Sequence, residues 1–216
     1  MSERPRKLIL LRHGQTEWNA SDRMQGQLDT DLSALGRTQA KEAARELATR
    51  EPLLIVSSDL RRALDTATEL GNHAGLEVAI DPRLRETHLG EWQGLDHRQV
   101  DSAAPGARAA WRRDARMAPP GGENRVQVAA RGVPVITELL DRPDWQDRPV
   151  VLVAHGGLIA AVTAALLGLP VESWPAFGGL GNCSWVQLSA YPTATGNPFW
   201  RLDVWNASAR VASDVL

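Results

Sequence analysis

Two histidines, three arginines and one glutamate stand where chemistry would want them. "LILLRHGQTEWN" (residues 8–19) runs four apolar residues straight into Arg12, His13 and Gly14, and "VVLVAHGG" (150–157) repeats the design with His155 and Gly156. A third apolar run ends in "SSDLRR" (57–62), which carries Arg61 and Arg62. Guanidinium groups and imidazoles gathered with backbone N–H groups of Gly14, Gly156 and nearby helix N-termini suit a phosphate. A neutral imidazole, from either His13 or His155, can attack phosphorus and divide one hard step into two easier ones. The departing alkoxide then needs an acid. "RLRETHLGEWQG" (83–94) offers Glu86 in a loop flanked by apolar residues, where a carboxyl beside a phosphate can hold a proton at neutral pH.

Other readings of these residues stand beside that one. Either of Arg61 and Arg62 suits an anion, and the other a solvated helix start. His88 forms a Glu-x-His pair with Glu86 that could join His13 and His155 around a metal, but the arginines repel a cation from the same crevice. His73 and His97 lie in polar surroundings and are expected to be exposed. A silent binder of phosphorylated ligands would also use the cations, though it has no need of a proton donor.

These residues need a frame that brings them to one edge. Runs 8–11, 53–56 and 150–154 read as buried parallel strands. Each is followed by a helical pattern: 32–49, with Ser33 as N-cap and Leu35, Ala40, Ala43, Ala44 and Leu47 on one stripe; 59–70, ending before Gly71; and 158–167. Strand then helix, three times, predicts an α/β sandwich with a mostly parallel central sheet flanked by helices. Ligands then sit outside the carboxyl ends of the strands. Residues 81–149 break the pattern, with a loop at "PPGGEN" (119–124) and a helix at 126–140, and read as a cover over the sheet within one domain spanning 1–216. Trp92, Trp111 and Arg113 are candidates to line it, with core packing the commoner fate of a tryptophan. Two alternating segments near the end, "CSWVQLSA" and "FWRLDVWNAS", suit strands added at a sheet edge.

Composition narrows the ligands. The chain of 216 residues has a formal net charge of −2, no footprint for nucleic acid or an anionic membrane, so any anion must be held locally. The single cysteine, Cys183, rules out an intramolecular disulfide and reads as a buried thiol. Residues 150–170 are apolar enough to resemble a membrane span, but a β-branched front broken by "HGG" and an Ala-rich remainder fit a strand and a helix better. No signal peptide opens the sequence, which predicts a cytoplasmic protein.

Four motifs in register, "LRHGQTEWN", "SSDLRRALDTA", "LRETHLGEWQG" and "VAHGG", together with "QGQLDTDLSALGRTQA", resemble the histidine phosphatase superfamily, the phosphoglycerate mutase-like enzymes. The resemblance implies that fold, and a small phosphorylated substrate. It implies His13 as the phosphorylated nucleophile, with Arg12, Arg62 and His155 as the phosphate pocket. Arg62 is chosen because it precedes the alanine of R-A-x-x-T-A. Asn19 is similar to a phosphate-contacting asparagine, Gln25 to a residue near the substrate entrance, and Glu86 to the proton donor of the phosphatase branch. No metal or organic cofactor is implied. The compact form around Glu86 favours hydrolysis over the phosphoryl return of a mutase. Likeness along nearly the whole chain to members that act on a phosphorylated glucosylglycerate, an early step toward methylglucose lipopolysaccharides, implies that substrate and a homodimer.

Overall fold

A computed structural model describes residues 4–194 and 196–209. Along the chain run β1 (Arg6–Arg12), α1 (Glu17–Ala20), α2 (Ala34–Ala48), β2 (Leu54–Ser57), α3 (Arg61–Ala74), β3 (Val78–Ile80), α4 (His97–Ala103), α5 (Ala107–Arg113), α6 (Arg125–Leu140), β4 (Val150–Ala154), α7 (Gly156–Leu166), β5 (Trp185–Tyr191) and β6 (Phe199–Ala207). Among the described residues the strands form one six-stranded sheet in the order β3-β2-β4-β1-β5-β6. The first four of that row are mutually parallel; β5 runs antiparallel to β1, and β6 antiparallel to β5.

The apolar runs are continuous because both faces of the sheet are covered. Side chains alternate along a strand, so Leu8, Leu10, Leu152 and Ala154 enter one core with α6 and α7, while Ile9, Leu11, Val151 and Val153 enter another with α2 and α3. The segment that mimics a membrane span divides into β4 and α7, and no helix among the described residues is long and apolar enough to cross a bilayer.

Several expectations need correcting. Leu35 is exposed, so the buried stripe of α2 is Gly36, Ala40, Ala43, Ala44 and Leu47; Ser33 caps the helix as expected, accepting the Gly36 N–H at 3.0 Å. Gly71 does not end α3. The helix continues to Ala74, and Gly75 closes it at φ 66°, a conformation that suits glycine. The first of the two late strands, β5, lies inside the sheet next to β1, and only β6 forms the edge. β3 is an additional parallel strand, and the cover contains α4 and α5 as well as α6. Cys183 is buried, which raises its thiol to about 12.

Candidate active site

Strand register brings the two histidines together. Arg12 on β1 is level with Ala154 on β4, so His13 and His155 leave adjacent strand ends side by side, their rings 5.1 Å apart. Ser57 on β2 is level with Val153, which sets Ser58 beside them. Each ring is pinned on one nitrogen. His13 Nδ1 donates to its neighbour's carbonyl, Gly14 O, at 2.7 Å, which assigns the proton to Nδ1 and leaves Nε2 with a lone pair. His155 Nε2 bonds the Ser58 hydroxyl at 2.9 Å. Both imidazoles are held well below their ordinary range, first by burial and next by the Arg62 charge; Arg12 adds to both effects. A neutral ring is the nucleophilic form.

The arginines separate cleanly. Arg62 is 1% exposed and spreads its guanidinium over three partners: Nε donates to His13 Nε2 at 3.3 Å, Nη1 to Leu28 O at 2.9 Å and Nη2 to Gly26 O at 2.8 Å. Burial pulls it down to about 10, partly offset by the Glu86 and Asp29 charges, so it remains a cation at neutral pH. Arg61 lies outside, paired with Asp31 at 2.7 Å, while its backbone N–H, at the start of α3, donates to Asp29 Oδ1 at 2.8 Å. Arg12 donates through Nη1 to Leu180 O. Its Nε, like His155 Nδ1, is buried with no partner among the described residues. Unsatisfied polar atoms of this kind are costly unless something charged or polar comes to meet them.

Glu86 sits over the start of α7. Oε1 accepts the N–H of Thr87 at 2.7 Å and of Leu158 at 3.1 Å, and Oε2 accepts that of Gly157 at 3.1 Å. Part of the expected backbone cradle is thus taken by this carboxyl, which holds the Gly157 and Leu158 N–H groups of α7. Gly156 instead lies against the Arg12 side chain. Gly14 is also reassigned: its N–H goes to Thr66 Oγ1 at 3.1 Å, and a Cβ there would collide with Gly36 O, so this glycine serves close approach of α2. His88 is turned into its own loop, its Nδ1 accepting the Gly90 N–H at 3.2 Å.

Asn19 is the third residue of the one-turn α1. Its Oδ1 accepts from Thr16 N at 3.1 Å and from Asn182 Nδ2 at 3.2 Å, which leaves its amide nitrogen as the donor for an anion. Asn19 and Gln25 line a chamber of about 170 Å3 with Arg12, His13, Arg62 and Glu86. Gln25 is buried there and accepts the Thr30 hydroxyl at 2.6 Å.

A second chamber of about 620 Å3 shares Arg12, Glu86, Thr87, Trp111 and Gly157 with the first. Its far side adds Arg112, Arg125, Trp174 and Phe177. Trp111 Nε1 is buried without a partner among the described residues, and the Arg125 guanidinium lies 5.7 Å from the centre of that indole. Of the three candidates to line the cover, Trp111 does so. Trp92 is core, meeting Trp111 edge to face, and Arg113 is exposed while Arg112 takes the place at the wall. His73 is exposed as expected, but His97 is half-buried at the start of α4. Arg125, Trp174 and Phe177 carry no sequence sign of their role; only the fold brings them to the chamber.

Comparison with known proteins agrees with this geometry. Residues 8–207 match the histidine phosphatase superfamily (branch 1). The chain is 66% identical to the glucosyl-3-phosphoglycerate phosphatase of Mycolicibacterium vanbaalenii, covering 99% of this chain and 100% of that one. It is 65% identical to the enzyme of the same name from Mycobacterium tuberculosis, with 99% and 100% covered. A solved mycobacterial glucosyl-3-phosphoglycerate phosphatase in complex with VO3 superposes with a TM-score of 0.90 at 65% identity, covering 94% of this chain and 100% of that one. With the family matched over residues 8–207 and relatives matched over their full length, this chain belongs to the histidine phosphatase superfamily, branch 1.

Proposed function

We propose that this protein hydrolyses a phosphate monoester through a phosphohistidine on His13, and that its substrate is glucosyl-3-phosphoglycerate. The observation that carries the reading is the pair of partnerless buried polar atoms, the donor Arg12 Nε and the ring nitrogen His155 Nδ1, beside a neutral His13 whose Nε2 bears the lone pair. A phosphoryl group needs fixed positive donors around its oxygens and a nucleophile in line with its leaving group.

In the first step Nε2 of His13 attacks phosphorus; the P–N bond forms as the ester P–O bond breaks, and Glu86, protonated in the substrate complex, gives that proton to the leaving alkoxide. Positive charge that develops on the ring is shared through Nδ1–H with the Gly14 carbonyl. Arg12, Arg62, His155 and the Asn19 amide hold the phosphoryl oxygens. In the second step Glu86, now a carboxylate, takes a proton from water as the water oxygen attacks phosphorus. The P–N bond breaks, inorganic phosphate leaves, and Glu86 is again protonated.

The substrate assignment rests on the likeness to the named phosphatases and on the second chamber. Its volume suits a ligand larger than a phosphate. Arg112 and Arg125 supply charge for the glycerate carboxylate, and Trp111, Trp174 and Phe177 supply the aromatic faces and the one indole N–H that a glucosyl ring favours. A second copy of the chain, implied by the same likeness, would find exposed Phe199 and Val204 on the edge strand β6.

The test is phosphate release from glucosyl-3-phosphoglycerate, 3-phosphoglycerate and p-nitrophenyl phosphate at equal concentration, with chelator present, for wild type and His13→Ala. Preference for the glucosylated ester, lost with His13, is expected. Equal rates on all three would discard the substrate, phosphate reappearing on a neighbouring hydroxyl would make the protein a mutase, and activity surviving in His13→Ala would discard the mechanism.

A further inference from the structure

Glu86 lies in a stretch, residues 85–89, that belongs to no helix or strand. A proton donor must hold its place to within a fraction of an ångström, so something outside this stretch must fix it. Arg131 on α6 does so with all five of its N–H donors. Nη1 donates to the carbonyls of Arg83 and Arg85, each at 2.7 Å, and Nη2 to the carbonyl of Glu86 at 2.9 Å. Nε and Nη2 grip the two carboxylate oxygens of Glu123 at 2.9 Å each.

Glu123 holds the other end of the stretch. Its Oε2 accepts the His88 N–H at 2.8 Å, and its own N–H donates to the His88 carbonyl at 2.7 Å. The loop carrying Glu123 comes this close because Gly122 has no side chain; a Cβ there would stand 2.5 Å from the His88 oxygen. Neither Arg131 nor Glu123 lines either chamber, so neither touches substrate. One arginine–glutamate pair therefore clamps the backbone on both sides of Glu86. Only a planar, five-donor fork can serve three carbonyls and a carboxylate together.

We propose that Arg131, seated by Glu123, is the positioning residue for proton transfer: it sets the backbone so that the Glu86 carboxyl meets the leaving oxygen. The proposal rests on the reading of Glu86 as proton donor. A residue of this kind matters when the leaving group is a poor one, an alkoxide, and matters little when it is p-nitrophenolate, which departs without a proton. A residue that only staples the cover to α6 would affect both alike.

The experiment measures kcat and KM of the full chain on glycerol phosphate and on p-nitrophenyl phosphate for wild type, Glu86→Gln, Arg131→Lys, Arg131→Met and Glu123→Gln. Arg131→Met is expected to lose about 100-fold in kcat on the alkyl ester and less than about 5-fold on the aryl ester, with KM little changed. Arg131→Lys and Glu123→Gln should show the same selectivity to a smaller degree. Equal losses on the two esters in the Arg131 and Glu123 variants, with Glu86→Gln selective, would overturn this inference alone. A Glu86→Gln variant equally impaired on both would overturn the proton-donor reading and this inference with it. If Arg131→Met does not fold, the two milder variants decide by the same criterion.

Discussion

Arg62 donates from Nε to Nε2 of His13 at 3.3 Å, the very nitrogen whose lone pair must reach phosphorus. The guanidinium thus lies along the direction of attack, and an arriving phosphoryl oxygen takes over that N–H. The same side chain ties down Gly26 and Leu28 of the "QGQL" segment, so it links the nucleophile to the wall that carries Gln25. Arg62→Lys keeps the charge but cannot serve three directions at once. It should lower kcat about 100-fold or more and lower the melting temperature, because carbonyls are left without donors. A variant within about threefold of wild type would show that Arg62 is not part of the phosphate pocket.

The buried histidines make stability depend on pH. Their folded-state values lie below the unfolded 6.5, set first by burial and then by Arg62. Between those values the unfolded chain binds more protons, so stability rises with pH through the window: it is present in full above 6.5 and is lost as pH falls toward the folded values. Each histidine contributes a slope of up to about 1.4 kcal/mol per pH unit. The melting temperature of the ligand-free protein should therefore fall from pH 7 to pH 5, less steeply in His155→Gln. Parallel curves for the two proteins would remove His155 as a source.

The part of this site legible in the sequence is the part that strand ends mark. Apolar runs stopping at Arg12, His13 and His155 announce both the parallel strands and the edge where they meet. β3 escapes notice because it is a three-residue edge strand with Ala79 and Ile80 exposed, so no buried run betrays it. The support of Glu86 is invisible for another reason. Arg131 is 45 residues downstream on a helix, and nothing local separates it from the other 21 arginines. Gly14 misleads because a glycine after a strand suits an anion cradle, whereas here its lack of a side chain is needed by the carbonyl of Gly36 on α2.

That glycine contact is itself testable. A Cβ on Gly36 would collide with Gln15 O and stand 2.8 Å from Gln15 N, backbone atoms that cannot swing aside, two residues from His13. Gly36→Ala should destabilise the fold by about 1–3 kcal/mol, seen as a lower denaturant midpoint. It should also reduce turnover, since the strain falls on the segment that holds the nucleophile. An unchanged midpoint would mean that α2 can draw back without cost.

Arg125 bears on specificity. Burial lowers it from its ordinary value, the Glu86 charge works the other way, and it stands over Trp111 at the wall shared with the larger chamber. A half-buried guanidinium there favours a ligand with a second anionic group, which the carboxylate of the proposed substrate supplies. A charge-assisted bond of that kind is worth about 1.5–3 kcal/mol, so Arg125→Gln should cut the preference for a carboxylated ester over p-nitrophenyl phosphate by roughly 10- to 100-fold in kcat/KM. The loss should appear chiefly in KM, because the carboxylate is bound alike before and during reaction. A fall in kcat on both esters, with the preference intact, would instead place Arg125 in support of Trp111 and leave the carboxylate to Arg112.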